Sequence, residues 1–488
     1  MNYQTGQVIE VTTTDVAHGG WCVARPDDGP VVFVRHALPG ETVLARITEI
    51  TSRLARADAV EILKASPDRV EPPCPHAHPG GCGGCDWQHA TLAAQRSLKA
   101  AVVRQQLRRL AGVDREVTVE PLPGDEDAGM TAEDAGMTTV TGPAGSAGSL
   151  GPGLGWRTRV QFAVRPDGVA GLRAHRSHDV VDVGRCLIAH PAITDLGLPA
   201  RRWPGTASVE ALVAVGSGER AVVITPGGRP GPARPGAGRP VPAARTSAGR
   251  PVPAARTDAG RSVSIEGITA DSVLRRAGAL TSSLTPLRGR SYLSQHAAGR
   301  DWRVSAGAFW QVHPAAADVL TGAVMTGLKP EAGDTALDLY CGAGLFAGAL
   351  AQAVGPGGTV IGVEGDSAAV RDARHNLREW SWARVHKGDV ATVLARGGQR
   401  GAVPQARLVV ADPPRSGLAR EVVDYLGAAE NGAVRFAYVS CDPATLARDV
   451  GLLIARGWAL EGLRGFDAFP MTHHVECVAI LVGGAQGT

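Results

Sequence analysis

From residue 334 to the end of the chain, short apolar runs alternate with stretches of helical periodicity. The runs at 335–339, 359–363, 408–411 and 434–439 are mostly apolar at consecutive positions, as strands covered on both faces are. Each of the first three is followed by enough chain for a crossover helix, which parallel strands need because a tight turn joins only antiparallel neighbours. Two later runs, 458–465 and 475–482, are close enough to form a hairpin. The pattern predicts an α/β domain over 301–488, a Rossmann-like doubly wound sheet with an antiparallel edge hairpin. In such open sheets ligands lie in the crevice beyond the carboxyl ends of the strands. The residues just past each run are therefore the candidates for chemistry.

After the first run the chain reads Asp338-Leu-Tyr340-Cys341-Gly342-Ala-Gly344-Leu-Phe-Ala347, and Glu364 stands at the end of the second. Glycines spaced this way admit a cofactor's backbone, and a carboxylate at the next strand end can hold ribose hydroxyls. The same arrangement serves a nicotinamide dinucleotide and the nucleoside of S-adenosylmethionine, so a nicotinamide-dependent oxidoreductase is a competing reading. The third run ends in Asp412-Pro413-Pro414-Arg415. Consecutive prolines stiffen that loop and aim Asp412 into the crevice. A dehydrogenase has no use for such a loop beside a proline-flanked cysteine, which favours S-adenosylmethionine. A structural Asp capping the next helix is the plainer alternative.

That cysteine is Cys441, in Ser440-Cys441-Asp442-Pro443, at the end of the fourth run. Glu476, in His474-Val475-Glu476, opens the last run. C5 of uracil is a weak nucleophile; a thiolate adding to C6 makes it reactive, and a base must then remove the C5 proton before the enzyme is released. One activated thiol and one carboxylate in the same pocket meet that requirement, and Cys441 and Glu476 supply them. A free thiol titrates near about 8.5, so Cys441 needs local help, for which Arg415 is the candidate. The structural alternatives are a buried core thiol and a surface carboxylate. Cys341 and Cys477 are read as packing residues.

The N-terminal residues 1–66 hold five short alternating or β-branched runs, at 6–14, 21–25, 30–35, 41–50 and 54–63, separated by turns such as His18-Gly19-Gly20. These suit an OB-like β-barrel. Residues 67–300 are read as a central α+β domain. Four cysteines in it, Cys74, Cys82, Cys85 and Cys186, are open to zinc or an iron–sulfur cluster, with His76 and His78 as conceivable substitutes. The helical spacing of 91–111 predicts a helix. Two stretches, 121–155 and 226–261, are expected to be disordered insertions, the second carrying a Pro-rich duplication at 238–259.

The chain is 488 residues long with net charge +3, and only four of its 50 cationic residues are lysine. So small a net charge says little about partners, because a long chain can carry a basic face inside a balanced total. No charged-then-apolar leader and no apolar run of membrane length is found, which points to a cytoplasmic protein without a membrane association. Eight cysteines in such a chain point to metal or catalytic roles rather than disulfides.

Together these residues resemble the RNA uracil-C5 methyltransferase family, specifically its members with an N-terminal TRAM barrel and a [4Fe–4S] cluster, over nearly the whole chain outside the two insertions. The resemblance implies a class I methyltransferase domain at 301–488 and a TRAM RNA-binding domain at 1–66. Phe309-Trp-Gln311-Val-His313 is similar to the family's cofactor loop, which implies Gln311 as a ligand of the methionine portion. Tyr340 and Glu364 then contact methionine and ribose, Asp389 lies near the adenine, and Asp412 matches the family's D-P-P-R loop. Cys441 matches the nucleophile, Glu476 the proton-abstracting residue, and Cys74, Cys82, Cys85 and Cys186 the cluster ligands. Three departures stand out: seven residues rather than five separate Cys74 from Cys82, and His313 and Asp442 stand where the family often has Asn.

The implied activity is methylation of uridine to 5-methyluridine in RNA, with 23S ribosomal RNA favoured over transfer RNA because barrel and cluster occur together. No obligate protein partner is evident. A non-catalytic RNA-binding protein, with the barrel as its working part, is the other competing reading.

Overall fold

The computed structural model describes residues 3–27, 29–125, 151–227, 265–277, 284–400, 404–428 and 431–483. Most of both expected insertions, including the duplication at 238–259, lies outside the described residues. Their near flanks do not: Gly153 N donates to the Asp125 carboxylate at 2.9 Å, closing the base of the first.

The five N-terminal runs form a closed barrel of Val8–Ala17, Trp21–Ala24, Val31–Arg35, Leu54–Lys64 and Thr42–Ile50, in that spatial order. Alternate residues point inward, and Val11, Cys22, Val32, Val34, Val43 and Ile47 fill the barrel. The chain leaving it is fastened back by Arg69, which donates to both oxygens of the fully buried Glu41 at 2.5 and 2.7 Å.

The catalytic sheet has eight strands in the order Ala383–Lys387, Thr359–Glu364, Thr335–Leu339, Leu408–Ala411, Arg435–Ser440, Glu476–Gly483, Trp458–Phe466 and Val119–Glu120. The first five are mutually parallel, and Glu476–Gly483 runs antiparallel beside Arg435–Ser440. Helices cover both faces, with one apolar cluster on each side. Parallel strands covered twice bury nearly every residue, and Leu408–Ala411 is buried throughout. Two strands of this sheet carry no clear pattern in the sequence. Ala383–Lys387 is a half-exposed edge, and Val119–Glu120 is two residues long.

A seven-stranded sheet lies between barrel and catalytic sheet in the sequence, in the order Leu284–Arg288, Ser272–Arg276, Arg220–Pro226, Thr206–Val213, Arg159–Val164, Ala170–Arg173 and Val180–Val181. The expected helix appears as Leu92–Gln106 continued by a wider turn at Leu107–Ala111. Its Val103 and Leu107 pack into the core of the catalytic domain. The hairpin Tyr292–Ala297 and Arg300–Ser305 runs across residue 300, so the chain does not divide there. Among the described residues no helix is long and apolar enough to cross a membrane.

Candidate active site

Strand Thr335–Leu339 ends in Tyr340, a non-glycine residue at φ +64°. That left-handed conformation costs an L-residue about 1–2 kcal/mol, and it turns the chain sharply out of the sheet. Gly342 and Gly344 come next at φ +54° and +92°, and Gly344 opens helix Leu345–Val354. A Cβ on Gly342 would meet nothing within 4 Å, so the glycine edge faces open space where a ligand backbone can lie. Glu364 is fixed beside it, accepting from Gly342 N at 3.0 Å and from Asp366 N at 2.6 Å. Asp389 sits at the end of the next strand, exposed, accepting from both the backbone N–H and the hydroxyl of Thr392.

Beneath this turn Asp338 is wholly buried, accepting from Ala347 N at 2.7 Å, with its other oxygen unpartnered. Burial pushes its carboxyl well above the usual range, and the nearby Asp412 and Glu364 add to that. Gln311 is also buried, in the loop before helix Ala316–Leu328. It lines a narrow cleft with Thr158, Arg159, Ser305 and Trp310, which is formed by the central sheet and the 292–305 hairpin rather than by the strand-end carboxylates. Its neighbour Phe309 is 65 % exposed.

Cys441 and Glu476 come together through sheet register. Ser440 pairs with Cys477 in the antiparallel ladder, so one step further along places Cys441 opposite Glu476. Burial drives the Cys441 thiol up to about 12; Glu476, Asp412 and Asp442 push the same way and Arg415 opposes them. Burial likewise raises Glu476 well above the carboxylate range, helped by Asp412, with Arg415 again opposing. Asp412 itself is raised by burial to about 7. Each buried carboxyl disfavours ionisation of the other, so burial and mutual repulsion both push the pair upward. The site thus holds a thiol, two buried carboxyls and one guanidinium.

Each part of the site is held by residues outside its own loop. Asp449, fully buried on helix Pro443–Ile454, accepts from Tyr438 Oη and from Leu418 N, both at 2.8 Å. Arg448 donates to Ser416 O at 2.9 Å. These bonds clamp the loop bearing Asp412 and Arg415 onto the helix after Cys441. Gly417 lies inside the clamp, where a Cβ would come within 2.5 Å of Asp449. The segment leading to Glu476 is tied to the first part of the chain. Lys99 Nζ, wholly buried, donates to Asp467 at 2.5 Å and to Phe469 O at 3.0 Å. Gln95 accepts from Met471 N, and Asp86 accepts from both the backbone and the ring of His473. Arg415 meets the His474 ring at 3.4 Å, and His18 of the barrel meets the Asp442 carboxylate at 3.2 Å. None of His18, Asp86, Lys99 or Asp449 carries a local motif, so spacing along the chain gives no sign of them.

Cys74, Cys82, Cys85 and Cys186 line a single cavity of about 440 Å³, with His76, Gln88, Arg157 and His175 among its other walls. Burial raises the Cys82 and Cys186 thiols; Cys74 adds to both, while Arg157 opposes. The long Cys74–Cys82 loop is taken up by tight turns, Ala77 N donating to Cys74 O and Cys82 N to His76 O, which return Cys82 to the cavity. The His78 ring is engaged by Pro79 O instead. Among the described residues, no group of three or more His, Cys, Asp or Glu side chains is arranged to hold a metal ion.

Three family models match the chain. Residues 3–60 match the TRAM domain, and residues 404–483 match tRNA (Uracil-5-)-methyltransferase. Residues 305–406 match protein-L-isoaspartate(D-aspartate) O-methyltransferase. The last match spans Tyr340, Glu364 and Asp389; the second spans Asp412, Cys441 and Glu476. Over 99 % of this chain and 100 % of the other, it is 47 % identical to an uncharacterised RNA methyltransferase of Streptomyces avermitilis. The chain belongs to the RNA methyltransferase family. An uncharacterised RNA methyltransferase of Bifidobacterium longum is 33 % identical over 98 % of this chain and 97 % of its own. The solved structure of the Pyrococcus abyssi tRNA (uracil-54, C5)-methyltransferase with S-adenosyl-L-homocysteine superimposes with TM-score 0.64 at 21 % identity, covering 97 % of this chain and 100 % of that one. This RNA methyltransferase therefore has the class I methyltransferase fold with a TRAM barrel at its N-terminus, and the glycine turn belongs to a methyltransferase rather than a dehydrogenase.

Proposed function

We propose that this RNA methyltransferase transfers a methyl group from S-adenosylmethionine to C5 of a uridine in RNA, through a transient bond between Cys441 and C6. The observation that carries the reading is the register that sets Cys441 across from Glu476, with Asp412 and Arg415 acting on both.

The crevice fits the cofactor. Open space beside Gly342, the braced Glu364 carboxylate and the strand-end Asp389 suit a nucleoside, with Tyr340, Gln311 and Asp412 assigned to its amino-acid end. When bound, S-adenosylmethionine supplies an electrophilic methyl group on sulfonium sulfur. The protein's own steps begin with the thiol. Because Cys441 holds its proton so tightly, attack requires a nearby acceptor, and Asp412 as carboxylate takes that proton, which leaves Glu476 free for the later step. The Sγ–C6 bond forms as the C5–C6 π electrons move toward the carbonyl at C4. C5 then gains the methyl group, Glu476 as carboxylate removes the C5 proton, and the returning electron pair expels Cys441 as thiolate, which regains its proton from Asp412 while Glu476 passes its own to water. Arg415 offsets the negative charge that passes through the site.

The target base must leave its stack to reach Cys441, so a loop or opened helix is the substrate form. Ribosomal RNA, 23S above all, is the first reading; transfer RNA is the second, favoured by the tRNA (Uracil-5-) family match over 404–483. The four cysteines are assigned to a [4Fe–4S] cluster. Anaerobic iron and sulfide analysis checks this, and zinc without iron would refute it.

The experiment for the reaction uses RNA carrying tritium at C5 of uridine. Release of tritium to water in step with methyl transfer is expected, and Glu476→Gln should retain it. Methyl transfer without tritium release places the methyl group on another atom and defeats the reading.

A further inference from the structure

The turn joining the first two barrel strands, His18-Gly19-Gly20, reaches into the catalytic domain at two places. His18 Nε2 lies 3.2 Å from the Asp442 carboxylate. Gly20 O accepts from the buried Trp87 indole at 3.3 Å, and a Cβ on Gly20 would stand 3.0 Å from His473 and 3.2 Å from Asp86. Asp442 directly succeeds Cys441, and His473 is three residues before Glu476. One barrel turn therefore touches both the nucleophile segment and the base segment.

Asp442 has its own task. One of its oxygens accepts from Ala444 N and Thr445 N, at 3.0 and 2.8 Å, capping helix Pro443–Ile454 and fixing the turn that presents Cys441. The other oxygen faces His18. An Asn would cap this helix as well, so the carboxylate brings a negative charge to the neighbour of a thiol that must ionise. We propose that His18 is a positioning residue for the proposed reaction: from the barrel, its Nε2–H holds the second oxygen of Asp442 and draws on its negative charge, so that Cys441 can be deprotonated. Although burial pushes the Asp442 carboxyl up, the His18 hydrogen bond and the two backbone N–H groups hold it down at about 2. An ionised carboxylate only accepts, so His18 Nε2 carries the hydrogen. The remaining charged groups acting on Cys441 are Glu476, Asp412 and Arg415, none of which comes from the barrel. This inference deepens the proposed function and rests on it for the meaning of Cys441.

Its test reads the thiol without RNA. Alkylation of Cys441 by iodoacetamide is followed by peptide mass spectrometry on the full chain, with the other cysteines as internal references. His18→Ala should slow Cys441 by about fivefold, the size of one partly screened charge, and leave the references unchanged. The double variant His18→Ala with Asp442→Asn should recover most of that rate, because the bare carboxylate is gone while the cap remains. A purely structural role for His18 would show no such recovery. Equal or faster alkylation in His18→Ala, or a double variant as slow as the single one, overturns the proposal. If the thiol behaves as expected but RNA carrying 5-fluorouridine forms no adduct with the parent protein, the proposed function fails and the His18–Asp442 coupling stands.

Discussion

The two halves of the catalytic crevice are held in place by different means. On the cofactor side, Glu364 is fixed by N–H groups 22 and 2 residues away, and Asp389 by a threonine three residues on. On the base side, the segment before Glu476 is fixed by Lys99, Gln95 and Asp86, which lie 368, 376 and 387 positions away in sequence. A strand–turn–helix unit builds the first half by itself. The second half is held by residues from the first hundred, so its geometry depends on their being docked against it.

The largest effect is expected where this long-range half is cut. Lys99→Met leaves Asp467 buried without its counter-charge, a loss of about 3–5 kcal/mol for a broken buried pair. Thermal unfolding should show a marked fall in midpoint, with RNA-adduct formation lost before binding of S-adenosylmethionine. A midpoint unchanged within error would mean that the base segment does not depend on Lys99. Next in size, Asp449→Ala strips the Tyr438 hydroxyl and Leu418 N of their acceptor, at about 1–3 kcal/mol for each buried group left unsatisfied. Denaturant titration measures that loss, and the rate at Cys441 should drop with it as the 412–419 loop loosens.

Acid should act on the same interface. Burial holds His89 and His175 down at about 4 and His36 and His474 at about 3, with neighbouring cations adding to each shift. Their folded-state values lie below the unfolded one of about 6.5. Their neutral forms therefore cost nothing above that pH, and stability is lost as the pH falls from there toward 3–4. The unfolding midpoint should decline between pH 7 and pH 5, and His89→Gln should flatten the decline; a pH-independent midpoint over that range would count against the assignment.

The cofactor half should respond locally. Glu364→Ala is expected to weaken binding of S-adenosylmethionine by about tenfold, equal to about 1.4 kcal/mol, with little change in unfolding midpoint. Calorimetric titration distinguishes this from a global effect. The smallest change belongs to the Arg108–Asp114 pair, 63 % and 72 % exposed, whose loss in Arg108→Ala should cost under about 1 kcal/mol.

The same contrast explains what the sequence disclosed. Consecutive apolar runs announced four of the parallel strands and the late hairpin, because burial on both faces leaves that mark. Alternation announced the barrel. The edge strand Ala383–Lys387, with exposed Arg384 and Lys387, has no such run, and Val119–Glu120 is too short to carry a period. The glycine turn, the D-P-P-R loop, Cys441 and Glu476 were legible because each sits at a strand end with a loop of marked composition. His18, Asp86, Lys99 and Asp449 were not, because their importance lies in partners distant in the chain or in the fold. Gln311 was picked out by its motif, while Arg159 and Ser305, which line the same cleft, come from parts of the chain that no motif marks. The cysteines gather around one cavity, yet spacing alone could not say how a loop of seven residues would close.

The central claim is that Cys441 bonds to the pyrimidine ring. RNA containing 5-fluorouridine tests it most directly, because fluorine at C5 cannot leave as a proton and the adduct stalls. With S-adenosylmethionine present, mass spectrometry should find the fluorinated nucleotide attached to the peptide containing Cys441, and Cys441→Ala should bind the same RNA without forming any adduct. An adduct on another cysteine, or methylation by Cys441→Ala at the parental rate, would contradict the account.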